Sequence, residues 1–357
     1  MITADENGNG ARIRTLIVDD AAIMRKAIKE MLSKDEHIEV LGVAVHGQDC
    51  LEKIPSLKPD VVTMDIDMPV MNGITAVKNI MVRYQIPVLV ISSLVQDGWF
   101  AFEALRLGVM DFVPKPAKMN GSGRVSEEDL IRMRVRAAAR MQVHWMRRVR
   151  RRKRPDALLT TRNHAPSAVA VLGATLAGPN TIMRIVTHLP PDFAGSIIAL
   201  QEIHPRILGP FCTYFNEISP LEVVAVTGRQ QLCAGKVYVG TTHCGLRITT
   251  PSHDDEPVIS PGNSAEAAID SILESAAEHF GENACGVLLS GLGTDGARGM
   301  RTIRKRGGLT VGQDHKCSVY PNIVEHAVRE NVLDLLKSQE GIAACLESWA
   351  ADRVNAR

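Results

Sequence analysis

The chain has 357 residues, 45% of them apolar and 23% charged, which fits a globular protein of about two domains and excludes wholesale disorder. Its 41 Lys and Arg against 40 Asp and Glu leave a net charge of +1, and aromatics are 4%, so neither a generally basic nucleic-acid binder nor a base-stacking platform is expected. No apolar run approaches the ~20 residues of a membrane span, the acidic start Met1–Gly8 lacks a signal-peptide pattern, and seven scattered cysteines form no C-x-x-C, so a cytoplasmic protein with reduced thiols is expected.

After a polar tail (1–12), residues 13–117 alternate short apolar runs with helical periodicity. The runs are Thr15–Val18, Ile38–Val45, Asp60–Met64, Val88–Ser92 and Met110–Val113. Between them, Ile23, Ala27, Ile28, Met31 and Leu32 share one helical face, as do Val77, Ile80 and Met81. Such alternation predicts a flavodoxin-like, doubly wound domain: five parallel strands covered by helices, with the site at the strands' carboxyl ends. Polar residues stand at those ends. Asp19-Asp20 follow the first strand, Asp65 the third, Ser92-Ser93 the fourth and Lys115-Pro116 the fifth. Three carboxylates, a hydroxyl and an ammonium brought together suit Mg²⁺ and phosphoryl oxygens, and Asp65 can act there as a carboxylate nucleophile.

Residues 118–166 read as a basic linker whose first part is helical. Ser126 is placed to cap a helix, and from Arg132 to Arg154 there are eleven Lys or Arg and no acid. The closing run Arg147–Arg154 is a solvated connector or a contact for an acidic partner or membrane surface. No helix-turn-helix pattern accompanies it, so DNA is not expected as a partner. The near-neutral total therefore conceals +11 between Arg132 and Arg154 and −10 elsewhere.

Residues 167–357 form a second doubly wound α/β domain, with strands predicted at Ala168–Leu172, Ser196–Leu200, Leu221–Val226, Lys236–Val239, Gly286–Leu289 and Gly308–Val311. The clearest helix is Ala265–Phe280. Two strand–turn–helix junctions carry chemistry. Leu172–Gly178 sets Thr175 on a turn of small residues, a geometry that exposes a hydroxyl nucleophile and turns backbone N–H groups toward an oxyanion. Leu289–Ala297 is glycine-rich and offers Asp295 as cap or acid. His243-Cys244, taken as strand neighbours, point to opposite faces and are not expected to cooperate. This half has no metal-ligand spacing.

Ile17–Asp20, Met64–Gly73 and Lys115-Pro116 resemble the response-regulator receiver family. The resemblance implies that Asp65 is the phospho-acceptor and that Mg²⁺ is held by Asp19, Asp20, Asp65 and the backbone carbonyl of Asp67. It also implies that Ser92 and Lys115 contact the phosphoryl group and that Phe112 is the aromatic of the switch. With Val237–Val239, Ile269–Leu273, Gly286–Gly291 and Gly312–Asp314 added, nearly the whole chain resembles the chemotaxis protein-glutamate methylesterase/glutaminase response regulators. That family demethylates methyl-glutamate and deamidates glutamine on methyl-accepting chemoreceptors with a Ser-His-Asp triad. Its unphosphorylated receiver blocks the cleft, and a chemotaxis histidine kinase relieves the block. This sequence departs from the pattern: the serine is Thr175, the histidine position is Glu202, and Pro321-Asn322-Ile323 stand where the family has Gly-Met-Pro. Asp295 is retained. His204, two residues beyond Glu202 on the same side of an extended segment, is a second candidate base. A carboxylate is a poor base for a hydroxyl, so the alternative is an effector that binds without turnover.

Overall fold

The structure, a computed structural model, describes residues 12–92, 98–109, 111–115, 127–145, 148–149, 164–250, 256–262 and 265–355. Ser93, Met110, Pro116, Ser126 and the Arg147–Arg154 run apart from Arg148 and Val149 lie outside the described residues. The chain divides into two compact units, Met1–Arg147 and Arg148–Arg357.

In the first unit, strands β1 (Ile13–Val18), β2 (Ile38–Ala44), β3 (Val61–Met64), β4 (Val88–Ser92) and β5 (Asp111–Pro114) alternate with helices. The helices are α1 (Ala22–Ser33), α2 (Gly47–Leu57), α3 (Gly73–Arg83), α4 (Gly98–Leu107) and α5 (Glu127–Ala139). The sheet order is β2-β1-β3-β4-β5, all parallel. Helices on both faces explain why β3 and β4 are buried throughout and largely apolar rather than alternating. α1 buries Ile28, Met31 and Leu32 as its periodicity predicts, but Ile23 is 86% exposed. It stands in the first helical turn, beyond the strand ends the helix packs over. α3 is started by Asn72, whose Oδ1 accepts the Thr75 N–H at 2.9 Å.

α5, expected as the start of a linker, packs on this unit instead. Ile131, Val135 and Ala138 are buried, Arg136 pairs with Asp35 at 2.8 Å, and Lys34 meets Glu128 at 2.7 Å. Its basic residues find acidic partners within the unit: Arg132 pairs with Glu128 and Asp129 of its own helix, Arg134 with Asp111 of β5 and Arg136 with Asp35 after α1.

In the second unit β6 (Val169–Gly173), α6 (Gly178–His188), β7 (Ser196–Gln201), α7 (Pro205–Asn216) and β8 (Glu222–Ala225) are followed by β9 (Gln230–Gln231), β10 (Lys236–Thr241), β11 (Leu246–Thr249) and β12 (Val258–Pro261). Then come α8 (Ala268–Phe280), β13 (Ala284–Leu288), α9 (Ala297–Lys305), β14 (Leu309–Gln313), α10 (Asn322–Arg329), β15 (Leu335–Lys337) and α11 (Gln339–Asn355). Seven parallel strands in the order β15-β14-β13-β6-β7-β10-β8 form the main sheet, and β11-β12-β9 make a small antiparallel one. α8 starts three residues later than expected, after Ala267 in the left-handed region (φ 52°). Its Ile269, Ile272, Leu273 and Ala276 enter the core at helical spacing. The chain leaves β6 for β7 on one side and returns to β13 on the other. The crevice at the carboxyl ends of β6 and β13 is thus the sheet's topological switch point, where such folds bind ligands. Among the described residues no helix is long and apolar enough to cross a membrane.

Candidate functional site

The first unit gathers its acidic residues at its own switch point, between β1 and β3. Asp19 and Asp65 are buried and Asp20 is exposed, and one oxygen from each of the three lies within 4.8 Å of the others. Backbone N–H groups orient two of them: Ala21 donates to Asp19 Oδ1 at 2.9 Å and Ile66 to Asp65 Oδ1 at 2.7 Å. Lys115 Nζ, arriving from the end of β5, lies 2.7 Å from both Asp19 Oδ2 and Asp65 Oδ2. Burial raises the Asp19 carboxyl above its ordinary range, although Lys115 and the Ala21 N–H pull the other way. Burial would lower the Lys115 ammonium, but hydrogen bonds to the two carboxylates raise it on balance. Lys115 therefore stays charged between two acids.

Ser92 ends β4 fully buried, and Phe112 on β5 is 6% exposed. The β3–α3 loop carries exposed Asp67 and holds Val70 at φ 64°, an uncommon conformation for a β-branched residue. Gly73 is required where this loop turns back, because a Cβ there would strike the Asp65 carbonyl oxygen and Ile66 Cα. The carboxylate set fits a hard, oxygen-seeking cation such as Mg²⁺: Asp19 Oδ2 is buried and, among the described residues, has no hydrogen-bond partner beyond its ion pair with Lys115.

The second unit brings Thr175 and the Leu289–Asp295 loop together. Thr175 Oγ1 accepts the Leu292 N–H at 2.7 Å and lies 3.2 Å from the Leu292 carbonyl oxygen, to which its own proton is donated. Gly291 is needed beside it, since a Cβ there would fall 2.5 Å from Thr175 Oγ1. Asp295 serves as a cap: its two oxygens accept the Ile269 and Asp270 N–H groups of α8, each at 2.8 Å. Its carboxyl is raised by burial against the lowering effect of those N–H groups.

The two candidate bases are placed differently. Glu202 is half-buried at the end of β7. His204 caps α7, its Nδ1 accepting the Arg206 N–H at 3.3 Å, and its ring lies 6.1 Å from that of His243. The neutral His204 ring then carries its proton on Nε2 and has no free lone pair for the Thr175 proton. Burial, then the charges of His243 and Arg206, lower its pKa. His243 and Cys244 sit in a turn after β10 rather than on the strand. Both approach Thr241, through Oγ1 at 2.9 Å and the carbonyl oxygen at 3.9 Å respectively.

Two residues at this site were visible in the sequence only as part of a motif or a departure. Asp270 Oδ1 accepts the Gly296 and Gly299 N–H groups at 3.0 and 2.7 Å, so Asp295 caps α8 and Asp270, within α8, caps α9 in return. Asn322 Oδ1 accepts the Gly293 N–H at 2.8 Å. A carboxylate in the first turn of a helix is a recognisable signal, but its partner helix is not written in the local sequence.

The two sites define a receiver-type phosphoacceptor unit joined to a second α/β unit with a hydroxyl at a sheet switch point. The response regulator receiver domain model matches residues 15–121 and the CheB methylesterase model residues 170–346. A Pyrococcus horikoshii protein-glutamate methylesterase/protein-glutamine glutaminase is 32% identical over 342 residues, covering 93% of this chain and 92% of that protein. A Koribacter versatilis protein-glutamate methylesterase/protein-glutamine glutaminase 2 is 34% identical over 323 residues, covering 86% and 88%. The Thermotoga maritima CheB methylesterase catalytic domain aligns with 51% of this chain and 97% of its own at 22% identity and a TM-score of 0.48. The chain belongs to the protein-glutamate methylesterase/protein-glutamine glutaminase family of response regulators.

Proposed function

We propose that the protein is a phosphorylation-regulated chemosensory response regulator acting on the side-chain esters and carboxamides of methyl-accepting chemoreceptors. The reading is supported above all by Lys115 Nζ standing 2.7 Å from both Asp19 and Asp65 at the strand ends of the receiver. Asp65 takes the phosphoryl group from a chemotaxis histidine kinase. Asp19, Asp20, Asp65 and the Asp67 carbonyl hold Mg²⁺, which neutralises phosphoryl charge when bound. Lys115 and Ser92 receive the phosphoryl oxygens, and Phe112 adjusts its packing in response. In the effector Thr175 is the nucleophile toward the γ-carbonyl of a receptor glutamyl ester or glutamine. Asp295 fixes the loop beside it, and Glu202 stands in the place of the base. The residues between 118 and 166 that follow α5 join the domains, and their basic run suits an acidic partner or membrane surface.

The test is paired. Labelling from a phosphorylated kinase is expected to vanish in Asp65→Asn, and undiminished labelling would sink the receiver assignment. Methanol release from methylated receptor is expected to rise on phosphorylation and to fall to background in Thr175→Ala. Release at background in both would show an effector that binds receptors without turnover.

A further inference from the structure

We propose that the Gly293 N–H is the subsite for a substrate carbonyl oxygen and that Asn322 is an internal placeholder filling it with its own carboxamide. The inference rests on the reading of Thr175 as the hydroxyl that faces a side-chain ester or amide. Two consecutive N–H groups of the glycine loop, Leu292 and Gly293, point away from the loop's own backbone. Each is taken by a side chain of this chain: Leu292 by Thr175 Oγ1 at 2.7 Å and Gly293 by Asn322 Oδ1 at 2.8 Å. Consecutive backbone nitrogens are at most about 3.8 Å apart, so the Gly293 nitrogen lies within about 6.5 Å of Thr175 Oγ1. A carbonyl carbon in near-attack contact ~3 Å from that hydroxyl can turn its oxygen toward such a donor.

Two further N–H groups of the loop are committed elsewhere. Gly291 donates to the Tyr320 carbonyl at 2.9 Å, and Gly296 donates to Asp270. Gly293 is exposed, has φ 109°, and has nothing within 4 Å of the position a Cβ would take, so a ligand has room beside it. The group on its N–H is a primary carboxamide, the functional group of a glutamine side chain. Asn322 can hold this position because it opens α10 directly after Pro321, where the sequence has Pro321-Asn322-Ile323 in place of the family's Gly-Met-Pro. It reaches across to the loop already anchored by Ile323 N–H to the Gly291 carbonyl at 3.1 Å. A ligand oxygen must displace it, at a cost of one exposed hydrogen bond.

The experiment uses the full chain with two probes, N-acetyl-glutamine N-methylamide and the γ-methyl ester of N-acetyl-glutamate N-methylamide, titrated while backbone amide resonances are followed. In Asn322→Ala both probes are expected to bind about three- to tenfold more tightly, with the Gly293 amide moving most. Asn322→Asp retains the acceptor oxygen and is expected to show no gain, which separates displacement from a general loosening of α10. Equal affinity in Asn322→Ala and the unmodified chain, with loop amides still responding, would overturn the placeholder and leave the site standing. A gain shared by Asn322→Asp would overturn it as well. No response of the loop to either probe in any form would overturn both the placeholder and the effector reading.

Discussion

The receiver and the effector are built alike and equipped differently. Each is a parallel sheet with its polar residues at a switch point, yet only the receiver has every charge its chemistry needs within contact distance. There Lys115 touches two carboxylates that backbone N–H groups hold in place. In the effector the hydroxyl of Thr175 is bonded to its own loop, Asp295 caps a helix, and a carboxylate, Glu202, follows β7. The contrast teaches that a scaffold outlasts the pairing of its reactive groups. Leu288 still lies level with Gly173 across β13 and β6, so the two turns meet whether or not a base joins them.

The sharpest way to break that comparison is to install the family's serine and histidine. Thr175→Ser with Glu202→His supplies a primary hydroxyl without the β-methyl and an imidazole at the end of β7. If the scaffold is intact, methanol release from methylated receptor should rise at least ~100-fold over the unmodified chain, because triad histidines are worth several orders of magnitude. A flat response would place the limitation in the loop, where Thr175 and Asn322 occupy the donors, and would weaken the claim that only the reactive groups differ.

Legibility from sequence follows the same division. The receiver strands and all three site carboxylates could be placed because each stands one or two residues past an apolar run. Strand ends in a parallel sheet converge by topology alone. The turns carrying Thr175 and Asp295 were likewise visible as small-residue junctions. What stayed hidden depends on partners distant in the chain. Examples are the Asp270–Asp295 exchange between α8 and α9, the reach of Asn322 to Gly293, and the docking of α5 through Arg136 to Asp35. His204 could be placed on the same side as Glu202, but not its commitment to Arg206, since that bond exists only because α7 begins at Pro205. The three-residue shift at the start of α8 has a similar origin: Ala265 to Ala267 have helical composition, and the turn there is imposed by Asp295 capping from outside.

A second prediction concerns the task of Asp295 at the start of α8. If its first task is to cap α8, Asp295→Ala should expose the Ile269 and Asp270 amides. Asp270→Ala should do the same for Gly296 and Gly299. Each loss of a doubly bonded cap is worth about 2 kcal/mol, which is roughly a 30-fold increase in exchange rate at the freed amides. Because the two caps tie the same pair of helices, the double variant should fall short of the sum by at least ~0.5 kcal/mol. Strict additivity would show that the caps act separately, and Asp295 would then need another reason to persist.

The smallest effect tests the receiver and has a definite sign in pH. Asp19 holds its proton more tightly in the folded chain than in the unfolded one, because burial raises it. Its own contribution to stability is therefore greatest in acid and declines as pH rises through the raised value. Mg²⁺ requires the deprotonated carboxylate, so stabilisation by the cation runs the opposite way: full at neutral pH and lost as pH falls through that same raised value. At a concentration ten times its dissociation constant, Mg²⁺ should add about 1.4 kcal/mol at pH 7.5. Differential scanning calorimetry with and without Mg²⁺, repeated down to pH 4.5, reads this directly. Asp19→Asn should remove most of the Mg²⁺ increment and its pH dependence together, while Lys115 remains paired with Asp65. An increment that survives in Asp19→Asn with unchanged pH dependence would mean that the cation sits on the outer acids, Asp20 and Asp67. The buried Asp19–Lys115–Asp65 arrangement would then serve the phosphoryl group alone.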